Sequence, residues 1–221
     1  MAGTHRATPE TVELARALEA APYKFNFFQA MRLVEAANPG MNRLGTSLRP
    51  SGEPIRLGQE PSLAFAPSML AMFKPGSAGK ADYLSGYFFG IFGPNGPLPL
   101  HLTEFARDRE RLSKDATFRA FADIFHHRMM SLFYRGWADA RPTVGMDRPE
   151  QDRFATYVGS MFGMAPEAFR NRDALSDHAK LFMGGRLSQQ TRPAGGLQAM
   201  LEEIFRVPMH VEQYVGEWME L

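Results

Sequence analysis

The chain has 221 residues, 44% of them hydrophobic and 22% charged. That is enough for a buried core in one domain or two packed halves, and too apolar for a disordered chain. Its 25 basic and 24 acidic residues leave a formal charge of +1, which gives no general attraction to nucleic acid or an anionic bilayer. Cysteine is absent, which excludes a disulfide framework, thiolate chemistry and cysteine-ligated zinc. The start, Met1 to Arg6, has no apolar stretch of the secretory kind. No apolar run of about 18 residues predicts a membrane-spanning helix. Phe (18) and Met (14) are abundant. The simpler reading is an aromatic core with Met filling gaps, and the sharper one is apolar surface awaiting partners.

Thr8-Pro9-Glu10 predicts a helix start, with Thr8 as cap and Pro9 at the first position, and Pro22 ends that helix. A second helix is expected over 27–37, capped by Asn26 and stopped by Asn38-Pro39-Gly40. Its apolar face is Phe27, Phe28, Met31 and Val34, with Arg32 and Glu35 facing away. Residues 41–61 are punctuated by Gly and Pro and predict irregular chain around a short strand at Ile55–Leu57. Further short strands are expected at 62–65 and 70–73, an exposed hairpin tip at 76–80, and the strongest strand at 83–92. The segment 93–99 reads as a rigid corner, because Pro94, Pro97 and Pro99 fix backbone angles while Gly93 and Gly96 permit unusual ones.

A helix follows over 100–111, and Asp115 is placed to cap the next and longest one, over 116–140. There Phe118, Phe121, Phe125, Met129 and Leu132 form an apolar stripe, widened by Ile124, Phe133 and Trp137. This predicts a helix buried over much of its circumference. Shorter helices are expected at 152–162, 166–170, 176–182 and from Gly195 or Gly196 to Ile204. A half-buried strand is expected from Val207 to Val215. The class is α+β: N-terminal helices over 1–40, a central core over 41–150 with a small, mostly antiparallel sheet and a long buried helix, and a helical region over 151–221. These segments are expected to pack as one compact unit.

Candidate chemistry is sparse. His126 and His127 are adjacent on a helix, about 100° apart, and do not chelate one ion together. With Asp123 and Arg119 they read as a solvated or interface polar face. His101 and Glu104 have ligand spacing but no matching second pair, so a capping or salt-bridge role is the simpler reading. Neither 93–99 nor 76–80 has the Gly-Lys-Ser/Thr ending of a phosphate loop. Ser160 lacks the flanking glycine of a nucleophile elbow, and Asp147, Glu150 and Asp152 lie among opposing Arg148 and Arg153. Arg135, Trp137, Asp139 and Arg141 close the long helix, where basic groups suit the helix dipole. Ending the helix on a core and contacting a partner explain them equally well.

Several strings, in order, resemble one family. They are Phe27 to Leu33, Pro61 to Phe65, Gly90 to Glu104, Phe125 to Arg135, Trp137 to Pro142 and Val211 to Trp218. Together they are similar to the TssG family, also called ImpH or VasB, and the block from Gly93 to Glu104 is the most specific. The resemblance implies a structural subunit of the type VI secretion baseplate, with no catalytic residue and no cofactor. It implies a wedge with two copies of TssF, linked to TssK and, within the baseplate, to TssE and the spike VgrG. The implied place is the bacterial cytoplasm, docked through the baseplate on the inner-membrane secretion complex. Family members usually continue for about another hundred residues, the size of a further lobe, whereas this sequence stops at Leu221, as a natural short variant or as a truncated or incomplete product.

On this view Phe27, Phe28, Met31 and Val34, with the loops at 41–60 and 74–81, are the expected partner contacts. Gly93, Pro94, Asn95, Gly96, Pro97, Leu98, Pro99, His101, Arg135 and Trp137 are expected to hold the fold. The competing readings are a metal-dependent hydrolase using His101, Glu104, Asp123 and His126, and an adaptor of a related phage-tail-like contractile system.

Overall fold

In a computed structural model of the protein, residues 9–77, 80–216 and 218 are described. Thr8, Ala78 and Gly79 lie outside them. The chain divides into two compact units, one ending at Arg148 and the other starting at Pro149.

The first unit opens with two helices, α1 (Pro9–Ala20) and α2 (Phe27–Ala37). Asn26 caps α2 as expected, its side chain accepting from the Phe28 N–H at 2.9 Å. Three strands follow, β1 (Ile55–Gln59), β2 (Leu70–Lys74) and β3 (Asp82–Gly86), in the spatial order β1-β3-β2. β2 and β3 form an antiparallel hairpin, while β1 runs parallel to β3 from Ile55 opposite Asp82 to Gln59 opposite Gly86. The sheet is therefore mixed rather than mostly antiparallel. A short turn makes β2 and β3 antiparallel, whereas the longer passage through 60–69 lets β1 flank β3 in the same direction.

Residues 62–65 are bends rather than a strand. The strand expected to reach Phe92 stops at Gly86, and the chain then turns through Gly90 at φ +137°. A Cβ on Gly90 would collide with Gln59 Oε1, so this close approach requires glycine. Beyond the turn come α3 (Leu100–Leu112), α4 (Thr117–Asp139) and the short α5 (Pro142–Met146). Asp115 accepts from both the backbone N–H and the hydroxyl of Thr117, and so closes the start of α4.

One hydrophobic core joins the N-terminal helices to the sheet and to α4. Leu18, Phe27, Met31, Leu57, Leu84, Met130 and Tyr134 are all buried in it. Burying each large apolar side chain contributes roughly 1.5–3 kcal/mol. A smaller cluster of Phe92, Ala106 and Ala122, covered by Ile91, Leu98 and Phe118, holds α3 near the start of α4.

The second unit contains α6 (Arg153–Ser160), α7 (Asp177–Phe182), α8 (Gly184–Leu187) and α9 (Ala194–Phe205). Asp152 and Ser176 cap α6 and α7 by accepting from Ala155 N–H and Ala179 N–H. The expected strand at 207–215 is not formed: those residues are irregular, and Val207 and Val215 are exposed. Among the described residues after Pro149 there is no strand for it to pair with, and Pro208 has no N–H to offer a ladder.

Candidate functional site

The longest helix faces opposite ways from the sequence expectation. The buried positions of α4 are Ala122, His126, His127, Met130, Ser131, Tyr134, Arg135 and Ala138. The apolar stripe points outward: Phe121, Ile124, Phe125, Met129, Leu132 and Phe133 are exposed, Ile124 by 67%. The physical reason lies beneath the helix. α4 rests on β1 and on irregular segments whose backbone groups have no ladder partners, and buried N–H and C=O groups need hydrogen bonds. Polar side chains on the inner face supply them.

Three networks do this. In the first, Glu35 of α2 is buried rather than facing away. Its Oε1 accepts from Arg135 at 2.6 Å and from the Leu44 N–H at 3.0 Å, and its Oε2 accepts from the Tyr134 hydroxyl at 2.9 Å. Arg135 also donates to the Leu44 carbonyl. Burial, then the Glu35 charge, push the Tyr134 phenol well above its ordinary pKa. Arg148 donates to the carbonyls of Glu35, Asn38 and Met41, closing the C-terminal end of α2 with a positive charge. Burial lowers its pKa.

In the second network, His127 Nδ1 accepts from the Leu57 N–H at 3.2 Å, and its Nε2 faces Glu53 at 3.2 Å. The ring proton therefore sits on Nε2. Glu53 also accepts from the Gly45 N–H and the Ser131 hydroxyl. Burial pushes the Glu53 carboxyl up, but the hydrogen bonds from His127 and Gly45 outweigh it, and the net pKa lies below the ordinary value.

In the third, Asp123 gathers the Gln59 N–H, the Tyr83 hydroxyl, Arg119 and His126 Nδ1 at 2.9–3.0 Å. His126 Nε2 accepts from the Ile91 N–H at 3.1 Å, so this ring carries its proton on Nδ1. Arg119 also forms two bonds to Glu110. Gln59 pairs both its amide groups with the backbone of Phe92 at 2.8 Å, a side chain continuing the sheet where the strand has ended.

The expected site residues therefore divide. Phe27, Met31 and Val34 are buried, and Phe28 is half-buried and stacked on Trp137 at 4.8 Å. That face of α2 is occupied by the core and is no open partner surface. Trp137 stacks there too, and Arg141 lies over its ring. Arg135 is in the first network. In the 93–99 corner the Gly93 N–H donates to the buried Thr103 hydroxyl and the Leu98 N–H to Ile91 O. Asn95, Pro97 and Pro99 are exposed. Gly93 takes φ +99°, and the Gly96 N–H closes a turn onto its carbonyl, while Pro94 is half-buried.

His101 and Glu104 are exposed on α3, so neither holds the fold by burial. Asp123 and His126 are brought together, but both His126 ring nitrogens are occupied by protein partners. His126 is buried and Asp123 half-buried, so the pair is not a solvated face. Among the described residues, no group of three or more His, Asp or Glu side chains is placed to hold a metal ion. Also among them, no helix is long and apolar enough to cross a membrane.

These networks tie two of the motif strings, Gly90 to Glu104 and Phe125 to Arg135, to Glu35, Glu53 and Asp123, which lie outside the strings. A family model described as type VI secretion, TssG, matches residues 21–221. The chain belongs to the TssG family. TssG is a structural family, and membership makes the chain a component of the type VI secretion baseplate. No curated protein and no solved structure matches the chain.

The residues that sequence reasoning missed are the outward ones of α4 and Leu48. Leu48 is 98% exposed on a loop tied to α4 by Arg128, which donates to the Gly45 and Ser47 carbonyls. A second stripe at helical spacing, His127, Ser131, Tyr134 and Arg135, was the available signal that α4 has another face to bury.

Proposed function

We propose that the chain is a non-catalytic wedge subunit of the baseplate that joins two copies of TssF and connects them to TssK. In this reading TssE and the spike VgrG belong to the same assembly, in the bacterial cytoplasm beneath the inner-membrane complex. The observation that carries the binding part is the outer face of α4. Phe121, Ile124, Phe125, Met129 and Leu132 recur at i, i+3, i+4, i+8 and i+11 and are exposed. Monomers rarely leave so continuous an apolar face uncovered, and such faces mark protein contacts. TssF is the partner assigned to it. The loops at 41–52 and 74–77, exposed at Leu48 and from Lys74 to Ser77, are the contacts assigned to TssK. The 93–99 corner holds the fold in this reading, since Leu98 packs against the Phe92 cluster.

The test is co-purification of the chain with TssF and with TssK. Phe121→Ser with Phe125→Ser is expected to abolish TssF recovery while the protein stays folded by circular dichroism. A wild-type chain that recovers neither partner would sink the wedge reading.

A further inference from the structure

We infer that the outer face of α4 and the loop at 45–49 form one basic, apolar docking surface that takes an acidic amphipathic helix. The inference rests on the proposed function only for the partner's name. Arg128 occupies the i+7 position of the apolar stripe that starts at Phe121, in the middle of the exposed face. Its donors reach the carbonyls of Gly45 and Ser47, which are neutral, so its charge is not balanced there. The same contacts fix the loop beside α4, with Leu48 and Arg49 exposed.

Among the described residues no carboxylate is ion-paired with Arg128, whose donors go to backbone carbonyls, or with Arg49. Residues 41–52 contain no carboxylate and residues 116–138 contain only Asp123, while Glu53, beside Gly45, is buried and taken up by His127, the Gly45 N–H and Ser131. Asp123 is committed to Tyr83, Arg119, His126 and the Gln59 N–H. The surface is thus apolar with an unopposed positive charge in its centre and another at its rim. Complementary charge selects partners and orients them more than it adds affinity. A helix with apolar residues on one stripe and Asp or Glu beside it satisfies both features. A second copy of this chain would bring Arg128 and Arg49 against the same basic face. A lipid surface calls for a larger cluster of basic residues, about four to eight, than these two.

The probes are two synthetic amphipathic peptides of about three heptads, identical in their apolar positions, one flanked by Glu and one by Lys. Each is titrated against the full chain by fluorescence anisotropy. The Glu peptide is expected to bind at least about tenfold more tightly, with the advantage shrinking as salt is raised. Arg49→Glu is expected to erase most of that advantage, since among the described residues the Arg49 side chain makes no hydrogen bond or ion pair. Arg128→Glu does the same if its circular dichroism stays native. Equal binding of both peptides, or binding of neither, overturns the inference. So does a concentration-dependent dimer in sedimentation, or uptake by phosphatidylserine vesicles that outcompetes the Glu peptide. The two readings fail separately. TssF recovered equally by wild type and Arg49→Glu sinks this inference alone, whereas a peptide preference without TssF or TssK recovery sinks the wedge reading alone.

Discussion

The two faces of α4 invert the usual rule for an amphipathic helix. The inner face carries His126, His127, Ser131, Tyr134 and Arg135, and the outer face carries Phe121, Ile124, Phe125 and Met129. What lies under a helix decides which of its faces goes in. Over a regular sheet, an apolar stripe would be buried, because the strands satisfy one another. Over β1 and the loops at 41–53 and 87–93, the exposed need is for hydrogen bonds, and a polar stripe meets it. The apolar stripe is then left for another chain.

That contrast is breakable by substitution. The largest effect is expected for Arg135→Ala, which strands the Glu35 carboxylate in the core. Removing one partner of a buried pair costs about 3–5 kcal/mol, measured as a shift in urea unfolding. Adding Glu35→Leu is expected to return part of that loss, because no buried charge then remains unpaired. Gly90→Ala comes next. Its Cβ collides with Gln59 Oε1 and the backbone there has positive φ, for an expected loss of about 2–3 kcal/mol. His127→Ala leaves the Leu57 N–H without a side-chain acceptor and takes one of three hydrogen bonds from Glu53, and is expected to cost about 1–3 kcal/mol.

Substitutions on the outer face are expected to spare stability and cost binding. Phe125→Ser is expected to change stability by no more than about 1 kcal/mol, chiefly through its edge contact with Phe121, while partner recovery falls sharply. If Phe125→Ser destabilised the isolated chain more than His127→Ala, the division of roles between the faces would collapse.

The smallest effect is a pH dependence from Glu53. Its folded pKa is lowered, so its contribution is fully present above the pKa of the unfolded chain. It is lost as pH falls through the lower folded value. Unfolding midpoints of wild type and Glu53→Gln are therefore expected to converge in acid. Parallel curves would remove Glu53 from the account.

Much of the frame was legible in the sequence. The limits of α2 and α3 followed from Asn26, from Asn38-Pro39 and from Pro99, and the helices expected over 152–162 and 176–182 start at the residues, Asp152 and Ser176, that cap α6 and α7. These are local signals, set by neighbours in the chain. The burial of Glu35 was not legible, because it depends on Arg135 and Tyr134, about a hundred residues away. The early end of β3 depends on Gln59 replacing a strand partner at Phe92. Apolar periodicity located the stripe on α4 correctly, yet carried no information about the loops beneath the helix. The TssG resemblance rested on strings such as Gly93 to Glu104 and Phe125 to Arg135, and of the network residues only His126, His127, Ser131, Tyr134 and Arg135 lie within them.

The neighbouring His126 and His127 carry one more consequence. Their rings hold opposite tautomers, the proton on Nδ1 in His126 and on Nε2 in His127, because each accepts a backbone N–H from a different segment. One reports on the turn at Ile91 and the other on β1 at Leu57. Ring nitrogen-15 resonances distinguish the two forms, so a single dipeptide serves as a two-channel natural label. In a nitrogen-15-enriched chain, a partner that disturbed the turn would shift the His126 resonances and one that disturbed β1 would shift those of His127.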